Sequence, residues 1–117
     1  MEIWHNPRCT KSRQTLGLLE DAGVELEVRR YLDDPPSADE LRAALEGLGL
    51  EPWDVVRTKE SVASDLGLAE WPRTAEHRER WIDAMVVNPI LIERPIVFGD
   101  DGRAVLGRPP ENVEALL

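Results

Sequence analysis

The chain has 117 residues, enough for one domain and too few for two of ordinary size. Hydrophobic residues make up 42% and charged residues 32%, the balance of a globular protein rather than a disordered one. The net charge of -9 argues against broad binding to nucleic acid or an anionic membrane, both of which need a positive face.

The first strand is expected at Glu2–His5, followed by a turn at Asn6-Pro7. Ser12 to Ala22 reads as a helix stopped by Gly23. Leu26 to Tyr31 alternates in the manner of a strand. The opening is therefore β-α-β, with the two strands parallel. After the loop Asp33-Asp34-Pro35-Pro36, Ser37 and Glu40 form a capping box. Leu41, Ala44, Leu45 and Leu48 continue it as an amphipathic helix ending at Gly49. Short helical turns are expected at Pro52–Val56 and Ser61–Leu66. Thr74 is the expected N-cap of a helix from Ala75 to about Val87, with Pro89 beyond it. Ile90–Ile92 and Ile96–Phe98 read as strands split by Arg94-Pro95. Asp101-Gly102 marks a hairpin to Ala104–Leu106, and a last helix runs from about Pro110 to Leu117.

The reading is a single α/β domain over residues 1–117, ordered β-α-β … β-β-α on a mixed sheet, with a helical insertion at about 37–87. One cysteine allows no internal disulfide and fits a reducing compartment. Met1–Asn6 is too short and polar for a signal peptide, and no stretch approaches the length of a membrane span. A cytoplasmic protein is expected, without membrane or nucleic-acid partners.

Cys9 stands after a strand and before a helix. There the unsatisfied N–H groups and the positive end of the helix favour the thiolate, which is the nucleophile. Arg8, Lys11 and Arg13 flank it, and His5 lies four residues back. The same N–H groups suit an oxyanion. An inert core cysteine would sit amid apolar neighbours, whereas this one sits in Pro7-Arg8-Cys9-Thr10-Lys11-Ser12-Arg13. Cys9-Thr10-Lys11-Ser12 is C-x-x-S, so a two-cysteine oxidoreductase is excluded. Cys9 to Arg13 is too short for a C-x5-R phosphatase loop. One Cys with His5 and His77 has no metal-ligand spacing, so no metal is expected. His5 either tunes Cys9 or caps a strand. Among the 12 arginines, composition singles out none, but Arg94 between two apolar segments must face a partner or an anion.

The segment His5-Asn6-Pro7-Arg8-Cys9-Thr10-Lys11-Ser12-Arg13 resembles the active-site segment of the glutaredoxin-dependent arsenate reductase family. So does Asn88-Pro89-Ile90-Leu91-Ile92-Glu93-Arg94-Pro95-Ile96-Val97, and Tyr31–Pro36 and Leu66-Gly67-Leu68 also match. The resemblance implies a thioredoxin-like fold and a catalytic cysteine at Cys9. It implies oxyanion-binding arginines at Arg57, Arg94 and Arg108, with His5, Ser12, Arg13 and Pro95 in support. Pro95 is expected in a cis peptide beside Cys9. The implied reaction is arsenate reduction in arsenic detoxification. Cys9 would form a thiol–arsenate adduct, resolved by an external thiol such as glutathione and by a glutaredoxin-like partner. No bound cofactor is implied, and a monomer is expected. Two rivals are a glutathione-dependent thiol reductase of the same fold and a non-enzymatic, Spx-like regulatory adapter that binds RNA polymerase. Ser12 departs from the C-x-x-C pair usual in the latter.

Overall fold

The computed structural model describes residues 1–117, which divide into two compact units. One comprises Met1–Pro35 and Arg94–Leu117, and the other Pro36–Glu93. The first holds a four-stranded mixed sheet. Its strands are β1 (Glu2–His5), β2 (Glu27–Arg30), β3 (Ile96–Phe98) and β4 (Ala104–Leu106), in the order β2-β1-β3-β4. β1 and β2 are parallel, as a β-α-β crossover requires, and the other two pairings are antiparallel.

Helix α1 (Thr10–Asp21) makes the crossover. Its Leu19 is fully buried with Ile3, Val97 and Val113, and Leu16 packs against them. Val113 comes from a terminal 3-10 helix, Pro110–Leu116, where an ordinary helix was expected. One face of the sheet thus lies on α1 and this terminal turn. On the other face Trp4 packs its ring on Phe98, with centroids 4.9 Å apart, and the Arg29 guanidinium sits over the Trp4 ring. Asp101-Gly102 turns the β3–β4 hairpin as expected, with Gly102 at φ 85°.

The second unit contains α2 (Ala38–Leu48), α3 (Ser61–Leu66), α4 (Arg78–Val87) and short 3-10 turns. The Ser37–Glu40 capping box forms, and Gly49 ends α2 in the left-handed region. Trp81 is buried with the edges of Trp53 and Trp71 against it, and its indole N–H donates to the Pro72 carbonyl.

Two expectations shift here. Thr74 does stand at an N-cap, but of a 3-10 turn at Ala75–His77 that leads directly into α4 at Arg78, and its hydroxyl meets His77 Nδ1 at 2.9 Å rather than a backbone N–H. Ile90–Ile92 is not a strand. Pro89–Leu91 forms a 3-10 turn, and only Ile92 makes a single antiparallel bridge, to Val56. A short buried apolar run has no period by which to tell strand from turn. No helix is long and apolar enough to cross a membrane.

Gly107 closes the end of the hairpin against α1. Its N–H donates to the Pro95 carbonyl at 2.9 Å, and its own carbonyl accepts the buried Thr15 hydroxyl at 2.9 Å. A Cβ on Gly107 would lie 2.8 Å from both Pro95 Cγ and Thr15 Cγ2. We expect Gly107→Ala to destabilise the protein by about 1–3 kcal/mol through overpacking. Urea unfolding measures this, and a loss below about 0.5 kcal/mol, the range of an ordinary surface change, would refute the contact.

Candidate active site

The site is built on the strand-to-helix turn at Cys9. α1 begins two residues earlier than the sequence suggests, which makes Cys9 itself the N-cap. The turn is fixed by the chain's own hydrogen bonds. Cys9 N–H donates to the Asn6 carbonyl at 3.0 Å, and Arg8 N–H donates to Asn6 Oδ1 at 2.9 Å. The Asn6 N–H donates to Ser12 Oγ at 3.0 Å, and Ser12 Oγ lies 2.7 Å from His5 Nδ1. His5, Asn6 and Ser12 are all buried. Ser12 therefore faces inward, a strut between strand end and helix start.

His5 is held below its ordinary pKa by burial first, then by the charges of Arg30 and Arg13. A neutral ring follows at pH 7, and because Ser12 Oγ already accepts the Asn6 N–H, its hydroxyl proton is free to be donated to Nδ1. Of the two roles left open for His5, the contacts favour the strand-end one: His5 closes β1 and its ring meets Ser12 at the start of α1. Arg13 also acts on the turn. Its guanidinium donates to the Pro7 carbonyl at 3.0 Å and to Thr10 Oγ1 at 3.2 Å.

The charge that favours the thiolate comes from elsewhere in the chain. Cys9 is half-buried, and that burial pushes its pKa up. The Ser12 N–H, the Arg94 guanidinium and the Lys11 N–H outweigh it and hold the thiol below its ordinary value. Arg108 Nη1 lies 3.7 Å from Cys9 Sγ.

Strand register explains why these distant arginines meet at one sulfur. Ile96 pairs with Leu106, and the Gly107–Pro95 hydrogen bond carries that ladder one step further. Arg94 and Arg108 are the next residues beyond that bond on the two segments. β1 runs antiparallel to β3 with Trp4 opposite Ile96, so the end of β1 arrives at the same edge. The chain turns there into Cys9. The Arg94–Pro95 peptide is cis, as expected, and so is Arg108–Pro109, which the sequence reading did not anticipate.

Arg57 belongs to the helical unit. Its Nη1 lies 2.7 Å from Glu93 Oε1 and its Nε 3.2 Å from Glu60 Oε1. Asn6, Thr15 and Gly107 were missed as parts of the site. The only signal for them was a glycine directly before Arg108 at the end of a strand, which marks close backbone approach. No group of three or more His, Cys, Asp or Glu side chains converges to hold a metal ion.

We expect Arg94→Ala to raise the Cys9 pKa and Arg108→Ala to do the same. Removing a cation from the sulfur disfavours the charged form, so the thiolate appears at higher pH. Alkylation rate against pH, or thiolate absorbance, reads the midpoint. An unchanged midpoint in both variants would take the arginines out of thiol activation.

The family model described as ArsC family matches residues 4–116. An arsenate reductase of Neisseria meningitidis is 42% identical over 118 residues, covering 100% of this chain and 97% of its own length. An uncharacterized protein in the glnII region of Streptomyces viridochromogenes is 52% identical over 117 residues, covering 100% of this chain and 98% of its own. Among solved structures, an arsenate reductase from Vibrio cholerae superposes with a TM-score of 0.90 at 42% identity, over 100% of this chain and 98% of that one. The mixed sheet with its crossover helix is the thioredoxin-like fold of these neighbours. By family model, by identity over its full length and by fold, the chain belongs to the ArsC family.

Proposed function

We propose that the protein is an arsenate reductase that works through the single nucleophile Cys9 and an external thiol. The observation that supports this best is one sulfur, held below its ordinary pKa, with the Arg94 and Arg108 guanidiniums directed to it. Such a site joins a nucleophile to cations suited to a tetrahedral oxyanion. Arg57 completes the oxyanion set on the strength of the family resemblance.

The chemistry runs in four steps. The thiolate of Cys9 forms a sulfur–arsenic bond, and one arsenate oxygen leaves as water after protonation. A small thiol such as glutathione displaces a second oxygen in the same way. A glutaredoxin-like thiolate then attacks the glutathione sulfur. A disulfide forms between those two, and the electrons of the broken sulfur–arsenic bond reduce arsenic from the +5 to the +3 state. Water releases arsenite and returns Cys9 as thiol. The two electrons come from outside because this chain has only one cysteine. On this reading the protein needs no bound cofactor and works as a monomer in the cytoplasm.

Arsenate turnover with a thiol-regenerating system tests the reading. Cys9→Ser should fold normally by circular dichroism and show no turnover above background, because a serine hydroxyl does not ionise near neutral pH. Purified protein without an external thiol should accomplish no multiple turnover. A folded Cys9→Ser variant with normal turnover would remove Cys9 from the reaction, and sustained thiol-free cycling would overturn the external-thiol scheme.

Arg94→Ala and Arg108→Ala should each lower kcat/KM by about ten- to a hundredfold, the loss of a charge-assisted contact worth roughly 1.5–3 kcal/mol. Arg42→Ala is the control, since Arg42 is engaged with Asp39 and Glu79 on the helical unit. Equal losses in all three variants would count against the oxyanion role.

A further inference from the structure

Arg57 is the member of the proposed oxyanion set that comes with its own anions. Its position is fixed by the backbone. Val56 bridges Ile92, with Arg57 N–H donating to the Leu91 carbonyl at 2.7 Å and Glu93 N–H donating to the Val55 carbonyl at 2.8 Å. These bonds bring the 55–57 and 91–93 segments together. The guanidinium then meets Glu93 Oε1 at 2.7 Å and Glu60 Oε1 at 3.2 Å. Glu60 lies three residues beyond Arg57 and its carboxylate reaches back to it. The side chains of Arg57, Glu60 and Glu93 are only 21%, 26% and 25% exposed, so water screens these pairs less than it screens surface pairs.

One cation between two carboxylates carries a net negative charge. An arriving oxyanion must compete with both for the same donors. A monoanion matches one carboxylate in charge and gains little by displacing it. A dianion presenting two oxygens to the planar guanidinium competes more strongly.

We propose that Glu60 and Glu93 are specificity-determining residues, forming a carboxylate clamp on Arg57 that a doubly charged oxyanion opens and a singly charged one, whatever its shape, does not. This rests on the reading that Arg57 takes part in oxyanion binding. The clamp raises the substrate concentration the enzyme needs and leaves the chemistry at Cys9 untouched. Its signature is therefore a change in KM with kcat preserved.

The variants are Glu60→Gln and Glu93→Gln, which keep size and an acceptor oxygen but remove the charge. Each should lower the KM for arsenate by about three- to tenfold, the worth of a partly screened ion pair. With the clamp weakened, nitrate should inhibit more strongly relative to phosphate than it does in the unmodified protein. Arg57→Ala should raise KM, and in that background neither Gln substitution should have a further effect. Asp39→Asn, which removes an exposed carboxylate from the Arg42 pair, should leave KM unchanged. Thermal unfolding accompanies each variant. Should one Gln variant fail to fold, the other decides alone, because each carboxylate contacts Arg57 separately. If Arg57→Ala raises KM but the Gln variants neither lower it nor alter the nitrate-to-phosphate ratio, the clamp is refuted and the oxyanion role of Arg57 stands. If Arg57→Ala leaves KM unchanged, both fall.

Discussion

A half-buried thiol at the start of a helix, held below its ordinary pKa, is the constraint on which the sheet unit turns. Burial alone opposes the charge on Cys9. It persists only where fixed donors replace the water that burial removes. The donors here are two backbone N–H groups at the start of α1 and two arginine side chains. The N–H groups need the strand-to-helix turn to keep its shape, and the arginines need strand register. Asn6, Ser12, His5 and Arg13 serve the first need, and Pro95, Gly107 and Thr15 the second.

That division separates two kinds of polar group in the same short segment. His5 and Ser12 sit close to Cys9 in sequence and carry groups that could act on it. They are buried, bonded to each other, and committed to the backbone of the turn. Buried polar groups fully paired in this way rigidify what they hold. Arg94 and Arg108 are remote in sequence and direct charge at the sulfur. The Cys9 thiol is thus held low in pKa both by neighbouring N–H groups and by arginines remote in sequence, and on the proposed reading the same arginines would meet the oxyanion.

The helical unit follows a different logic. Its interior rests on Trp81, boxed by Trp53 and Trp71 and tied through its indole N–H to Pro72. Arg57 and Glu93 emerge from the single bridge between Val56 and Ile92. A bridge this short fixes position at little cost in ordered residues. It also explains why the Ile90–Ile92 run misled as a strand: one residue does pair, while Pro89 closes the rest into a turn.

The sequence by itself determined the elements whose signals are local. The capping box at Ser37, the left-handed glycine after α2, the Asp101-Gly102 hairpin and the β-α-β opening are each specified within a few residues. The same holds for Cys9 as the proposed reactive group, since a lone thiol in a basic segment at a helix start carries its own argument. Only the tertiary structure decided which charges serve that thiol. Sequence proximity pointed to His5, Arg8 and Arg13, but His5 is buried and held below its ordinary pKa, and Arg13 bonds the turn. The cations that count reach Cys9 only because β1 pairs with β3, residues 92 to 96 positions apart whose register no local pattern records, and the short β3–β4 hairpin then brings Arg108 to the same edge. Gly107 offered only the bare signal of a glycine at a strand end, because the need for a missing Cβ arises only when Pro95 and Thr15 close on it from other elements.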